Sequence, residues 1–263
     1  MSGVDVVIVA HEAGALLQPA VSSAVSQVGE ERVVVVDAES TDGSVEAVRA
    51  ALPAVRVVRA PNSGFAASNN VGIAATGGEF VLLLNPDAEL APGAIVSLVA
   101  RAQSDPRIGI VAPRVTDSDG SIQAGSYGRF PTLARIAAQR VRVLFGSRLK
   151  DVAVPTDVDW VTGACMLVRR AAIADVGPMD EGFFLYYEDV EWCHRMHDRA
   201  WRVVIEPAAA VLHHLGKSGA QSARGSQAYR DSFYRYCDLY GLWGLALLAR
   251  GGLALRATAG GRI

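Results

Sequence analysis

Hydrophobic positions along the first half of the chain come as short runs rich in Val and Ile, separated by helix-like segments in which polar residues are interleaved. That alternation is the signature of parallel βα units. Val4–Ala10 and Arg32–Asp37 read as the first two strands, apolar on both faces as buried parallel strands are. A helix is expected between them over Ala13–Gln27. A third strand follows near Val55–Val58, a helix over Ala66–Ala75, and a fourth strand at Phe80–Leu84. The pattern therefore predicts one open, mostly parallel sheet flanked by helices.

Past Asn85 the rhythm changes. A helix is expected over Pro92–Gln103, and the Asp-Gly step in DSDGSIQ suits a hairpin turn. Leu133–Lys150 reads as a helix and loop, DWVTGACMLV as a strand, DVEWCHRMHDRA as a helix, and Arg202–Pro207 and Ala210–His214 as two short strands. These form a smaller mixed half. Gln227–Tyr240 reads as a helix with Tyr229, Phe233 and Tyr236 on one face. The start VDVVIVA lacks a basic n-region and reads as a strand, not a signal peptide. The apolar segment 239–257 is interrupted by Arg250 and glycines, too short a run to span a bilayer. It suits either a membrane-surface contact or a packed helix or homodimer surface.

Composition narrows the classes. The chain has 263 residues, 51% of them hydrophobic and 20% charged, enough to bury a large core. A net charge of -2 with scattered basic residues argues against nucleic acid as a partner. Cys165, Cys193 and Cys237 are odd in number and show no C-x-x-C spacing, which fits reduced thiols in the cytoplasm.

The chemistry concentrates at strand ends. In open α/β sheets ligands sit outside the carboxyl ends of the strands, where LLLNPDAEL delivers Asp87 and VVVVDAESTDGS delivers Asp37. Asn-Pro-Asp is equally a strand-ending turn, so position alone leaves Asp87 open. Ser40, Thr41 and Asp42 suit capping of the next helix, while Asp37 suits a hydrogen bond to a base or ribose. Ala10, His11 and Glu12 reach the same edge. PNSGFAASNNVG supplies amides and tight turns but is neither a G-x-G-x-x-G fingerprint nor a Walker loop. In FLYYEDVEWCHRM, a helix starting near Glu188 would place Asp189 where the helix dipole keeps a carboxylate ionised, fit for a general base. Glu191 suits a structural role there. Adjacent His213 and His214 point to opposite faces of a strand, so at most one serves a given site. With Asp87 it could hold an oxygen-loving divalent ion.

Together VVIVAHE, VVDAESTDGS, NSGFAASNNVGI, LLLNPDAEL, WVTGACMLVRR, FFLYYEDVEWCHR and VLHHLGKS, in this order from Val4 to Ser218, resemble the inverting family 2 glycosyltransferases of GT-A fold, particularly bacterial rhamnosyltransferases. The resemblance implies a GT-A domain over 1–218, with a nucleotide-sugar half (1–90), an acceptor and catalytic half (91–218), and a helical extension over 219–263. It implies that Ala10, Glu12 and Asp37, with His11 beside them, hold base and ribose, and that Asn62, Gly64, Phe65 and Asn70 shape the pocket wall. Asp87, at the last position of the family's D-x-D motif, and His213 would bind Mg or Mn and the donor diphosphate, to which Lys217 and Ser218 add contacts. Asp189 matches the catalytic base, and Trp160, Gly163, Glu188 and Trp192 fall on the acceptor or sugar side. Tyr186 and Tyr187 share that aromatic neighbourhood; each ring could stack on a sugar or pack around the base.

One departure stands out: Asn85 occupies the first position of D-x-D, so metal affinity is the property in question. The Q-x-x-R-W motif of processive synthases is absent. The implied activity is transfer of one sugar or a few, best matched by dTDP-rhamnose and next by UDP-sugars, to a glycan or lipid-linked hydroxyl. The work of such a chain is cell-wall or polysaccharide biosynthesis, in the cytoplasm or at the inner face of the membrane. Two rivals are a glycan- or nucleotide-sugar-binding module on an inactive transferase fold and a sugar-phosphate nucleotidyltransferase. The second is disfavoured because no glycine-rich basic loop follows strand one.

Overall fold

The computed structural model describes residues 3–132, 152–214 and 223–249, the side chains of 223–226 excepted. Its first half follows the predicted alternation. Strands β1 (Val4–Ala10), β2 (Val33–Asp37), β3 (Arg56–Arg59) and β4 (Phe80–Leu84) lie side by side in parallel, in the order β3-β2-β1-β4. Helices α1 (Leu17–Val28), α2 (Ser44–Ala51) and α3 (Phe65–Ala74) make the crossovers. The period of two along β1 decides which layer each residue joins. Val4, Val6 and Ile8 pack with Leu17, Val21 and Val48 on one face, whereas Val7 packs with Ile73 and Leu83 on the other. Helix α3 lies so close to β1 that a Cβ on Gly72 would come 2.2 Å from Val7 Cγ1.

Beyond β4 the sheet continues with reversed strands. The short β5 (Ala88–Leu90) and helix α4 (Ala94–Ser104) lead into β6 (Ile108–Thr116). Strand β10 (Cys165–Arg169) inserts antiparallel between β4 and β6, and β11 (Arg202–His213) completes the sheet parallel to β6 and antiparallel to β5. A two-residue strand, β8 (Thr156–Asp157), borders β11, while β7 (Tyr127–Gly128) and β9 (Trp160–Val161) form a separate small ribbon. Helices α5 (Arg170–Val176) and α6 (Glu188–Asp198) cover the face that α3 covers. Helix α7 (Ala223–Leu239) follows, and residues 243–249 form one more helical stretch. No described helix is long and apolar enough to cross a membrane.

Several expectations are corrected. Residues 202–213 make one strand, not two: Pro207 donates no ladder hydrogen bond, and the chain absorbs it as a register shift between Glu206 and Ala210. DWVTGACMLV makes two strands parted by Thr162-Gly163-Ala164. Helix α2 starts at Ser44 with Gly43 as its N-cap, so Ser40 and Thr41 do not cap it; Asp42 Oδ1 instead takes the Ser44 N–H at 3.0 Å. The expected helix at Leu133–Lys150 and the boundary at 218 lie outside the described residues.

Candidate functional site

The strand order turns back between β1 and β4, and a crevice opens at the carboxyl ends of such neighbours. Ala10 is fully buried there and pairs with Asp37. His11 Nδ1 lies 2.8 Å from the Ala38 carbonyl and its Nε2 lies 3.2 Å from Asn62 Nδ2. Glu12, at a φ of 48°, accepts both the N–H (2.8 Å) and hydroxyl (2.9 Å) of Thr41. Asp37 Oδ1 accepts the Ser40 N–H at 2.9 Å, and its Oδ2 lies 3.6 Å from Arg59 Nε. Thus β1, β2 and the loop after β3 assemble His11, Glu12, Asp37 and Asn62 into one hydrogen-bonded rim. Glu39, which the sequence reading passed over, joins it by accepting the Asn62 N–H at 3.3 Å.

Gly64, Phe65 and Asn70 act one layer away. The Phe65 N–H donates to the Phe184 carbonyl at 2.8 Å, and Gly64 passes so close that a Cβ would sit 2.4 Å from that same oxygen. Asn70 donates to the Met179 carbonyl (2.9 Å) and Glu181 Oε1 (3.0 Å) and accepts the Met179 N–H (3.0 Å). Both contacts fasten α3 to the segment before α6. Both Asn70 Nδ2 hydrogens are thereby engaged in clamping.

The turn after β4 meets the end of β11. His213 Nε2 lies 3.1 Å from Asp87 Oδ1 and 3.2 Å from Asn85 Nδ2. Asp87 and His213 are only 3% and 7% exposed. Asn85 Oδ1 is buried without a hydrogen-bond partner, its amide nitrogen being the atom that faces His213. Gln123, another residue the sequence reading missed, places Oε1 2.8 Å from His213 Nδ1. His214 turns away to Glu89 at 2.8 Å, as strand alternation requires. No group of three or more His, Cys, Asp and Glu gathers among the described residues. Asp87 and His213, 3.1 Å apart and almost fully buried, nevertheless fit a hard divalent ion completed by oxygens from a ligand.

A short bridge joins this cluster to the acidic pair. The Asn85 N–H donates to the Ala164 carbonyl at 2.9 Å, and the Gly163 N–H donates to Asp189 Oδ2 at 2.9 Å. A Cβ on Gly163 would lie 2.9 Å from the Phe65 ring, so a larger residue there would have to displace that ring. Tyr186 and Tyr187 both take left-handed φ values, 69° and 67°, before α6 begins. Such strained pairs persist where surrounding structure fixes them. Here that structure is the Ser232 hydroxyl on the Leu185 carbonyl (2.8 Å) and the Tyr187 and Tyr229 hydroxyls 3.3 Å apart.

Burial changes the electrostatics expected from the helix dipole. It pushes the carboxyls of both Glu188 and Asp189 up, against the dipole's pull, because desolvation outweighs a surface-scale effect of about 0.3–1 kcal/mol. The two differ in compensation. Asp189 takes N–H bonds from Gly163 and Val190, the latter at 2.8 Å, whereas Glu188 Oε2 is buried and unpartnered and also feels the Asp189 charge. Of the two, Glu188 is the more strongly raised and the better place for a shared proton, and Asp189 the better place for a negative charge.

Trp192 is corrected from the acceptor side to the core: it is fully buried, and its indole N–H donates to the Gly177 carbonyl at 3.0 Å. Trp160 is half-buried over Gly128, with its N–H on the Arg129 carbonyl at 3.2 Å. Glu191 takes the structural role, binding Arg195 at 2.8 Å. Lys217 and Ser218 lie outside the described residues.

Comparison with known proteins bears on the family and the fold. The model of "Glycosyl transferase family 2" matches residues 5–177. The chain is 34% identical over 251 residues to the N-acetylglucosaminyl-diphospho-decaprenol L-rhamnosyltransferase of Mycobacterium tuberculosis (strain ATCC 25618 / H37Rv), covering 86% of this chain and 81% of the relative. Among solved structures it is similar to GalNAc-T7 with UDP, GalNAc and Mn2+ (TM-score 0.67, 20% identity, 90% of this chain and 48% of that one). It is also similar to the mannosyltransferase PcManGT from Pyrobaculum calidifontis in complex with GDP-Man and Mn2+ (TM-score 0.61, 18% identity, 90% and 65%). The architecture is the GT-A fold.

Proposed function

The chain belongs to glycosyl transferase family 2, and from that premise we propose that it is an inverting transferase moving rhamnose from dTDP-rhamnose to a hydroxyl of a lipid-linked or glycan acceptor. The observation that carries the reading is the continuous bridge from Asp189 through Gly163 and Ala164 to Asn85, Asp87 and His213. It links the Asp189 carboxylate to the Asn85, Asp87 and His213 cluster at the end of β4, the neighbour of the strand whose end carries His11 and Glu12. The relative's rhamnosyl specificity supports the donor, and its decaprenyl diphosphate substrate supports the lipid-linked acceptor.

In this reading Asp189 takes the proton of the acceptor hydroxyl as its oxygen bonds to the anomeric carbon. The bond from that carbon to the diphosphate oxygen breaks on the opposite side, and the nucleoside diphosphate leaves. Protonated Glu188 keeps a second negative charge away from the incoming oxygen. Asp37, Glu12, His11 and Asn62 bind and orient the nucleotide. Asp87 and His213 would hold Mg or Mn, which when bound supplies Lewis-acid neutralisation of the leaving diphosphate. Exposed Leu239, Trp243 (66%), Leu247 (67%) and Leu248 support a resting contact of residues 239–248 with the bilayer surface; the remainder of the 239–257 segment, from Arg250 on, lies outside the described residues.

A thermal-shift panel tests the donor assignment. With Mn2+ present, dTDP is expected to raise the melting temperature more than UDP or GDP, and the difference should shrink in EDTA. Equal shifts from all three nucleotides would overturn the donor, and no shift from any would overturn the site.

A further inference from the structure

We propose that Gln123, held by Asp117, is a positioning residue that fixes the tautomer and orientation of His213 and thereby presents Nε2 as the metal-ligating nitrogen. The inference rests on the metal reading above but concerns a residue outside it. Its starting point is the DSDGSIQ turn, which sequence analysis marked only as a hairpin.

The turn is built to deliver one amide. Strand β6 ends at Thr116, the Asp117 N–H donates to the Ser121 carbonyl at 2.9 Å, and the Gly120 N–H returns to the Asp117 carbonyl at 2.9 Å. The chain then runs back, and the Gln123 N–H donates to the Val115 carbonyl at 2.9 Å. This places the Gln123 side chain, only 4% exposed, against the end of β11.

Which way the amide faces is decided by its neighbours. Asp117 Oδ1, 2.9 Å away, can only accept, and so can the His213 carbonyl at 3.4 Å; the NH2 must face both. The Gln123 Oε1 is thereby turned to His213 Nδ1 at 2.8 Å. An amide oxygen accepts, so Nδ1 carries the hydrogen and donates. In the neutral ring Nε2 then keeps its lone pair, facing Asp87 Oδ1 at 3.1 Å and Asn85 Nδ2 at 3.2 Å, where a cation held by Asp87 would take it. Metal-ligating histidines are held in this way by a partner on the other ring nitrogen, and losing the partner typically costs about 10–100-fold in metal affinity.

The test measures Mn2+ binding by titration calorimetry with saturating dTDP, together with the tautomer of His213 from long-range 1H–15N spectra of metal-free protein. Wild type, Gln123→Leu, His213→Ala and the double variant Asp117→Asn/Gln123→Glu are compared. The double variant keeps an acceptor on Nδ1, since the amide introduced at position 117 then donates to the carboxylate introduced at position 123. The expected result is Mn2+ affinity about 10–100-fold weaker in Gln123→Leu, with Nδ1–H lost as the dominant tautomer and dTDP binding without metal unchanged. The double variant should recover most of both. Mn2+ binding that depends on His213 but is unmoved in Gln123→Leu would overturn this proposal while leaving the metal reading intact. Mn2+ binding absent from wild type, or unaffected in His213→Ala, would overturn both.

Discussion

Replacing Gly64 by alanine probes how the carboxylate of Asp189 is held in place. Gly64 has φ 105° and ψ 173°, a region that residues with a Cβ occupy at a cost of about 1–3 kcal/mol. The new methyl would also sit 2.4 Å from the Phe184 carbonyl oxygen and 2.8 Å from its Cα. Those are backbone atoms that no rotamer change can move, and overpacking of that kind costs about 1–3 kcal/mol. The Phe65 N–H bond to the same oxygen, net about 1 kcal/mol, is strained with it. The sum is about 3–7 kcal/mol if the loop stays put, or less if the 183–187 segment swings away and carries Asp189 with it. Gly43→Ala is the control, because Gly43 is also left-handed at φ 77° but a Cβ there meets nothing within 4 Å. Urea unfolding and steady-state transfer separate the two outcomes. Gly43→Ala should lose about 1 kcal/mol with unchanged kcat. Gly64→Ala should lose at least about 3 kcal/mol or fall about 100-fold in kcat, the scale of a 1 Å misplacement. Equal behaviour of the two variants in both assays would refute the clamping argument.

Asp189→Asn should lower kcat by at least about 100-fold, the usual worth of a general base, with dTDP affinity within about twofold; retained transfer would remove Asp189 from the chemistry. Glu188→Gln tests the proton assignment. A carboxyl raised by burial contributes stability below its unfolded value of 4.5 and loses it as pH climbs toward the folded value. Wild type should therefore weaken relative to Glu188→Gln between pH 5 and pH 8, seen in urea midpoints; parallel pH profiles would place the charge on Glu188.

How much of this was legible depends on whether the signal was local. Strands β1, β2 and β4 announced themselves because covered parallel strands must be apolar on both faces, and their ends located Asp37 and Asp87. The insertion of β10 between β4 and β6 was not legible, since antiparallel pairing between residues 80 and 169 leaves no mark in either segment. Trp192 was misplaced by proximity to Asp189 in sequence. Helical spacing holds the corrective signal: Glu188, Trp192 and Met196 share one face at intervals of four and are all buried, while Asp189 lies a hundred degrees around. Gln123 carried no signal, because its meaning comes from where the hairpin returns. The helix dipole expected to keep Asp189 ionised is outweighed by burial, and what favours its charge is the pair of N–H donors from Gly163 and Val190.

The helical segment after 218 reads in sequence as an appendage, and its packing makes a different prediction. Tyr236 is fully buried among Phe183, Val190 and Tyr187, and its hydroxyl lies 2.9 Å from His194 Nδ1. Arg235 binds Asp180 at 2.7 Å and lies over the Phe183 ring. Ser232 holds the Leu185 carbonyl, so α7 grips both sides of the turn in which Tyr186 and Tyr187 are left-handed. A chain ending at 222 would leave that turn without the contacts that maintain its strain, at about 1–3 kcal/mol for each tyrosine. Relaxation would rotate the first residues of α6, Glu188 and Asp189 included. The nucleotide rim is built from β1, β2 and the loop after β3 and touches none of these residues. The truncated chain should therefore bind dTDP within about threefold of wild type by calorimetry while its transfer rate drops about 100-fold or more. Full transfer activity without α7 would mean that the turn is held from the α3 side alone, through Gly64, Phe65 and Asn70.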